Sequence, residues 1–326
     1  MADFKELSLS ECVDILLLTE RPLVLMHVRP DGDTVGSAAG LMRLFKMLGR
    51  PVKYASTDKV PDRLAFLLEG LDMASENEYA SMTPISIDVP SPMQLGDIIE
   101  RIPAPRLMID HHEVASPFAD IYTVRGMSSA GEVLYLIAEE MIRRGLITMT
   151  PELAYPIYAA ISSDTGSFAY SNTSSDTYRR AASLIDTGID FTDINHRLFS
   201  SKSAEQLRAE GLVSGRLYTS SGGRVAYSYI SRAEREAMGL MMEHFETAIE
   251  LVRSVRGAEI AFIIKETDKG EFKGSLRSVG ADVTKVASRF MGGGHIRAAG
   301  CTVKAESAEE AARILLLAVE KEYFNG

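Results

Sequence analysis

The stretch Leu25-Met-His-Val-Arg-Pro-Asp-Gly-Asp-Thr-Val-Gly-Ser37 decides how the rest of the chain is read. It has the character of the end of a buried strand, a tight turn and the start of a helix. His27, Asp31 and Asp33 gather at the turn, where one imidazole and two carboxylates can be aimed at a common point, as a metal ion requires. Alone, the triple fits equally a pair of turn aspartates beside a core histidine. Residues elsewhere separate the two readings.

Around this stretch, strands and helices alternate. Residues 8–20 carry a helical pattern with Val13, Leu16 and Leu17 on one side. Leu23 to Val28 is an unbroken apolar run, the kind buried on both faces of a parallel sheet. A helix over Val35 to Leu48 stops at Gly49, Val52 to Ala55 is a second strand, and Asp62 to Leu68 is helical. Two more strands, Ile85 to Val89 and Leu107 to Ile109, finish at Asp88 and at Asp110-His111-His112. The alternation predicts a doubly wound parallel sheet with helices on both faces, in which ligands bind beyond the carboxyl ends of the strands. His27, Asp31, Asp33, Asp88, Asp110, His111 and His112 all fall at those ends. The chain has six histidines, and three of them lie there beside aspartates.

Further along, 129–145 is a helix with Ser128 or Ser129 and Glu132 as a capping box, and 151–161 is a helix leading into Ser163-Asp-Thr-Gly-Ser-Phe168. The polar helical segment 174–215 breaks at Gly188 and near Ser200, and its last part reads as a connector. Beyond Gly215 the pattern changes. Hairpins are expected at Gly222-Gly223 and Asp268-Lys269-Gly270, with helices over 233–256, 282–290 and 307–322, which together make a smaller mixed α/β domain.

The totals agree with two globular domains: 326 residues, 46% hydrophobic and 25% charged. A net charge of −10 argues against coating long nucleic acid but leaves room for a small phosphorylated substrate. Cys12 and Cys301 imply no disulfide framework, and a cytoplasmic location is expected; the start, Met1-Ala-Asp-Phe-Lys-Glu6, lacks the pattern of a secretory signal. Bland readings stand beside several site candidates. Asp110 could cap a strand end, and Asp164 could be a helix cap or turn residue. Gly292-Gly-Gly294 could be a plain turn or a backbone cradle for an anion, Arg297 a solvated charge, and Tyr170 and Phe168 core packing or a base-stacking surface.

Taken together, His27-x3-Asp31-x-Asp33, Asp88, Asp110-His111-His112 and Asp164-Thr-Gly166 resemble the DHH phosphoesterase superfamily. They resemble most its DHH–DHHA1 branch of NrnA-type oligoribonucleases and 3′-phosphoadenosine-5′-phosphate (pAp) phosphatases. Ile87-Asp-Val-Pro-Ser91, Ser128-Ser-Ala-Gly-Glu132, Tyr170-Ser-Asn172, Leu276-Arg-Ser278 and Gly292-Gly-Gly-His-Ile-Arg-Ala-Ala-Gly300 add to the likeness in the family's order. The resemblance implies a DHH catalytic domain over 1–195, a connector helix over 196–215 and a DHHA1 substrate-binding domain over 216–326, with the active-site cleft between the domains. It also implies two divalent ions, Mn²⁺ first and Mg²⁺ or Co²⁺ as alternatives. His27, Asp31 and Asp88 would hold one ion. Asp33, Asp88, His111 and Asp164 would hold the other, with Asp88 bridging. Hard carboxylates with a few imidazoles suit such ions.

Asp110 would then fix a histidine tautomer, and His112 would face the substrate phosphate. Arg277, Ser278, Gly293, Gly294, His295 and Arg297 would clamp a terminal phosphate or nucleotide, with Tyr170 stacking on a base. The implied activity is hydrolysis of short RNA oligonucleotides to nucleoside monophosphates together with dephosphorylation of pAp. Phosphodiesterase action on linear or cyclic dinucleotides and a non-catalytic nucleotide sensor are the alternatives, and a homodimer is compatible with the resemblance. Arg29, where many relatives carry Asn, and Gln94, where a basic residue often follows, depart from the pattern.

Overall fold

A computed structural model describes residues 4–113 and 115–324. Met1 to Asp3, part of the stretch read above for a secretory signal, lie outside the described residues. The chain divides into two compact units, Met1–Ser201 and Lys202–Gly326.

The first unit is built on a parallel sheet of five strands: β1 (Pro22–Leu25), β2 (Lys53–Ala55), β3 (Thr83–Ile87), β4 (Leu107–Asp110) and β5 (Asp120–Thr123). Their order is β2-β1-β3-β4-β5, so β1 and β3 lie inside and β2 is an edge. The apolar run Leu23 to Met26 is wholly buried because both faces are covered. Val24 and Met26 join one core with the helices Gly32–Met47, Ala130–Arg143 and Pro151–Asp164. Leu23 and Leu25 point the other way, toward Tyr79, Leu95 and Ile98 of shorter helical turns. Helices therefore flank both faces, as the alternation predicts.

The three long helices approach closely at small residues. A Cβ on Gly131 would meet the Ala160 Cβ at 2.4 Å, and one on Gly32 would meet the Ser163 side chain at 2.2 Å. These two positions lie beside Asp33 and Asp164, so glycine sets how near those carboxylates can come.

The second unit has a six-stranded mixed sheet: β6 (Tyr218–Ser220), β7 (Val225–Ile230), β8 (Ile260–Glu266), β9 (Phe272–Ser278), β10 (Gly293–His295) and β11 (Ala298–Val303), ordered β10-β11-β9-β8-β7-β6. Both expected hairpins form. The parallel pairing of β7 with β8 was not expected, and it needs the crossover through 231–259. Alternate residues of β8 face opposite ways. Phe262 and Ile264 pack with Leu315 and Val319 of the helix Ala308–Tyr323, and Ala261 and Ile263 pack with Val213 and Val252.

Three expectations change. The single helix over 233–256 is three pieces, Arg232–Ala237, Met242–Phe245 and Ala248–Arg253, because Gly239 adopts φ +66 between the first two. The segment over 196–215 is not one helix. His196–Ser200 is a π-helical turn in the first unit, whereas Ala204–Gly215 packs Ala209 and Val213 into the core of the second. Of the glycine triplet, read as a turn or a cradle, Gly293 and Gly294 form edge strand β10, paired with Gly300 and Ala299.

Candidate metal centre

The turn after β1 carries the first ligands. Asp31 is the N-cap of the helix Gly32–Met47, accepting from Thr34 N–H at 3.0 Å. This is the ordinary capping role, yet the same carboxylate lies 3.7 Å from His27 Nε2. His27 Nδ1 is 2.8 Å from the Val28 carbonyl, a contact that makes Nδ1 an N–H donor and turns Nε2 toward the carboxylates. Asp33, two residues on, is buried. Its carboxylate accepts from Ala130 N–H at 2.7 Å, Gly131 N–H at 3.0 Å and Ser37 Oγ at 3.0 Å. It thus sits on the N-terminus of the helix Ala130–Arg143, where exposed amides and the helix dipole favour a negative charge.

Asp88 follows β3 and is the pivot. Its φ of +61 is in the left-handed region, a backbone that aspartate tolerates better than most residues. One carboxylate oxygen, Oδ2, accepts from Thr34 Oγ1 at 2.5 Å and lies 3.7 Å from His27 Nε2. The other, Oδ1, lies 3.5 Å from His111 Nε2, and it is buried with no hydrogen-bond partner. A buried anionic oxygen with no donor is costly unless a cation neutralises it.

Two residues beyond β4's last residue, His112 Nδ1 lies 2.8 Å from Asp110 Oδ1 and 3.8 Å from Asp88 Oδ1. His111 Nε2 lies 3.6 Å from Asp33 Oδ2, and its Nδ1 lies 3.3 Å from the Met127 carbonyl. Asp164 ends the helix Pro151–Asp164, and Asn172 Nδ2 holds it through its carbonyl (3.1 Å) and carboxylate (3.4 Å) while also donating to the Ser128 carbonyl.

Three groups of potential ligand atoms result, each with its atoms within 4.8 Å of one another: His27, Asp31 and Asp88; Asp33, His111 and Asp164; and Asp88, His111 and His112. All seven residues expected at the strand ends converge, and Asp164 joins them from a helix end.

The electrostatics of the cluster suit cations. Burial, reinforced by the negative charge of Asp88, pushes Asp33 well above the usual carboxylate range. Burial also raises Asp164, to about 6, with Asp88 and Asp31 adding to the effect. For His111, burial works against the charged ring, but the Asp88 carboxylate 3.5 Å away and the charges of Asp33 and Asp164 prevail and raise it to about 10. His27 rises to about 9 for the same reason, with Asp31 and Asp88 outweighing burial. The carboxylates thus gather whatever positive charge is at hand. The donors, hard oxygens and imidazole nitrogens, could hold metal ions, and Asp88 belongs to two of the three groups.

Several contributors have a role at the site that the sequence does not spell out, although Glu132 and Asn172 lie in the matching motifs. Thr34 and Asn172 are ordinary polar residues until their partners are known. Glu132 is buried and paired with Arg180, and it accepts from Ser128 and Thr177, tying the helix start under Asp33 in place.

The remaining candidates belong to none of these three groups. Tyr170 is 51% exposed, its ring against Gly166, whereas Phe168 packs between Tyr158 and Tyr178. In the second unit Gly293, Gly294, His295 and Arg297 are exposed. Arg277 is tied to Glu250 at 3.1 Å, and buried Ser278 donates to the Ala281 carbonyl.

Comparison with known proteins bears on both units. Residues 21–161 match the DHH family N-terminal domain, and residues 222–321 match the DHHA1 domain. The chain is 28% identical over 320 residues to the bifunctional oligoribonuclease and PAP phosphatase NrnA of Thermus thermophilus, covering 95% of this chain and 92% of that one. It is 27% identical to the protein of the same name from Bacillus subtilis, covering 94% and 96%. An exopolyphosphatase-related protein from Bacteroides fragilis shares the fold, with a TM-score of 0.87 at 23% identity over 96% of this chain and 95% of that one. With one domain of each kind, in this order and along most of its length, the chain belongs to the DHH–DHHA1 family.

Proposed function

We propose that the chain is a metal-dependent phosphoesterase that hydrolyses short RNA oligonucleotides to nucleoside monophosphates and dephosphorylates pAp. The observation that carries this reading is the set of His/Asp groups meeting at Asp88, whose buried Oδ1 accepts no hydrogen bond and faces only the rings of His111 and His112. Relatives aligned along nearly the whole chain are named for both activities. None of the expected ligands is replaced, which argues against a non-catalytic sensor, and no finding favours cyclic dinucleotides over short RNA.

His27, Asp31 and Asp88 would hold one divalent ion, and Asp33, Asp88, His111 and Asp164 a second, with Mn²⁺ the first choice for this donor set. Such a pair, when bound, supplies charge neutralisation at the phosphoryl oxygens and activates water for in-line attack. The chain's own residues supply the rest. Nδ1 contacts to backbone carbonyls orient His27 and His111. Asp110 engages His112 Nδ1 and leaves Nε2 to donate to a phosphate or leaving oxygen, and the His112 side chain is 38% exposed, so substrate can reach it. In the second unit His295 and Arg297, with Arg277 and Ser278, would bind the far phosphate or nucleotide, and Tyr170 of the first unit would stack on a base. Among the described residues no helix is long and apolar enough to cross a membrane. We place the protein in the cytoplasm, where its two free cysteines would stay reduced.

The test is a panel of short RNA, pAp, linear diadenylate and cyclic diadenylate, with Mn²⁺ and with chelator, read by product chromatography. Monophosphates from short RNA and phosphate from pAp, both lost on chelation, are expected. Turnover confined to cyclic diadenylate, or tight binding of pAp with no release, would overturn the reading.

A further inference from the structure

Beside the metal cluster, the carboxyl end of edge strand β2 opens onto a second concavity of the first unit. Its volume is about 580 Å³, inside the range of about 300–1,000 Å³ common for small-molecule sites. Tyr54, Ser56 and Asp58 line it from β2 and the loop that follows. Ala65 and Leu68 line it from the helical turn Asp62–Leu68, and Met73 closes one side.

The backbone ties this cavity to the ligand turn. β1 and β2 are paired in parallel at Leu25 and Ala55, and Met26 N–H donates to the Ala55 carbonyl. Arg29 N–H, between His27 and Asp31, donates to the Asp58 carboxylate at 2.7 Å. The segment that carries His27 is therefore bonded directly to the cavity wall at Asp58.

Two features of the lining point to what it takes. Ser56 is 7% exposed, and its Oγ is buried without a hydrogen-bond partner, so the wall holds a polar group that nothing in the protein satisfies. The charges are lopsided. Asp58, Asp62 and Glu69 line the space with Lys59, and Lys59 pairs with Asp62 at 2.7 Å. An excess of carboxylates repels a phosphate but accepts from amino and hydroxyl groups. Tyr54, Val60, Leu68 and Met73 add apolar surface for a flat ring. An uncharged group with an apolar face and several donors fits, and a base with its ribose is such a group.

We propose that this cavity receives the base and ribose of one nucleotide whose phosphate is held at the adjoining carboxylate–imidazole cluster. The inference rests on the phosphoesterase reading and extends it: the first unit selects for a nucleoside by itself, with Ser56 Oγ pairing to a polar atom of that nucleoside.

The experiment uses the full chain with Mn²⁺ and compares kcat/KM for 5′-phosphorylated diadenylate with that for two analogues, each lacking the adenine of one residue. In Ala65→Phe, which fills the cavity, the preference for the intact molecule over one of the two analogues falls by about tenfold. Ser56→Ala, which removes only the hydroxyl oxygen, lowers the same preference by about fivefold, and it carries the test if circular dichroism shows Ala65→Phe unfolded. An unchanged preference in the folded variants, or equal losses on all three molecules, would overturn the proposal. Adenosine alone, titrated to millimolar concentration into the metal-free protein and followed by NMR, separates this idea from the enzymatic one. Adenosine-induced shifts that both variants weaken support the cavity even if no substrate turns over. Absence of such shifts in the wild type refutes it even if the enzyme is active.

Discussion

The two units each contribute a histidine-bearing turn after or between strands, and they treat it in opposite ways. After β1, β3 and β4 the ionisable side chains crowd together, are largely buried and contact one another at 3.5–3.8 Å. At the β10–β11 hairpin, His295 and Arg297 are exposed. A buried set of like charges cannot persist without a counter-charge, so it announces its ligand through its own imbalance. An exposed imidazole and guanidinium are solvated either way, and they gain meaning only from the substrate they meet. The first region is therefore expected to govern whether the reaction occurs, and the second how well substrate is held.

The most severe test removes the pivot. Asp88→Ala should lose both metal ions and lower turnover by more than about a thousandfold, read by elemental analysis and kcat on pAp. If metal and activity persisted, the contrast between the units would collapse. Less severe is Asp110→Asn. This residue acts through His112, so metal content should hold while kcat falls by about 10–100-fold. The pH profile should also shift, because the amide cannot support the imidazolium as the carboxylate does. An unaltered profile would demote Asp110 to a strand-end cap. Mildest is Arg297→Ala, expected to raise KM by about tenfold with kcat and metal content near wild type. A loss of kcat instead would show that the exposed hairpin takes part in the chemistry.

Much of the first unit was legible because its signals are compositional. Unbroken apolar runs such as Leu23 to Met26 mark doubly covered strands, and acids or imidazoles at their ends mark the ligand edge. The convergence of Asp164 was legible only through family likeness, since Asp-Thr-Gly alone suits a helix end, which it also is. What stayed hidden depends on partners distant in sequence. Thr34 reads as a first-turn threonine until Asp88 is seen 2.5 Å away, and Asn172 reads as a loop residue until it holds Asp164. Gly32 and Gly131 look like any helix-start glycines, and their need arises from neighbouring helices. In the second unit the glycine triplet left its backbone open because glycine permits a turn, a cradle or an extended edge, and pairing with β11 puts Gly293 and Gly294 in the edge strand.

The left-handed backbone at Asp88 has a consequence for how this protein can drift over generations. Few residue types sit at ease with φ near +61, chiefly glycine, asparagine and aspartate. Of these, only aspartate brings a negative charge. Glutamate, which replaces aspartate around many cations, is disfavoured here by the main chain, at a cost of roughly 1–2 kcal/mol. The neutral paths open to most surface acids are closed at this position, so lineages that keep the activity are expected to keep this one side chain, and those that abandon it have asparagine or glycine as their easiest exits.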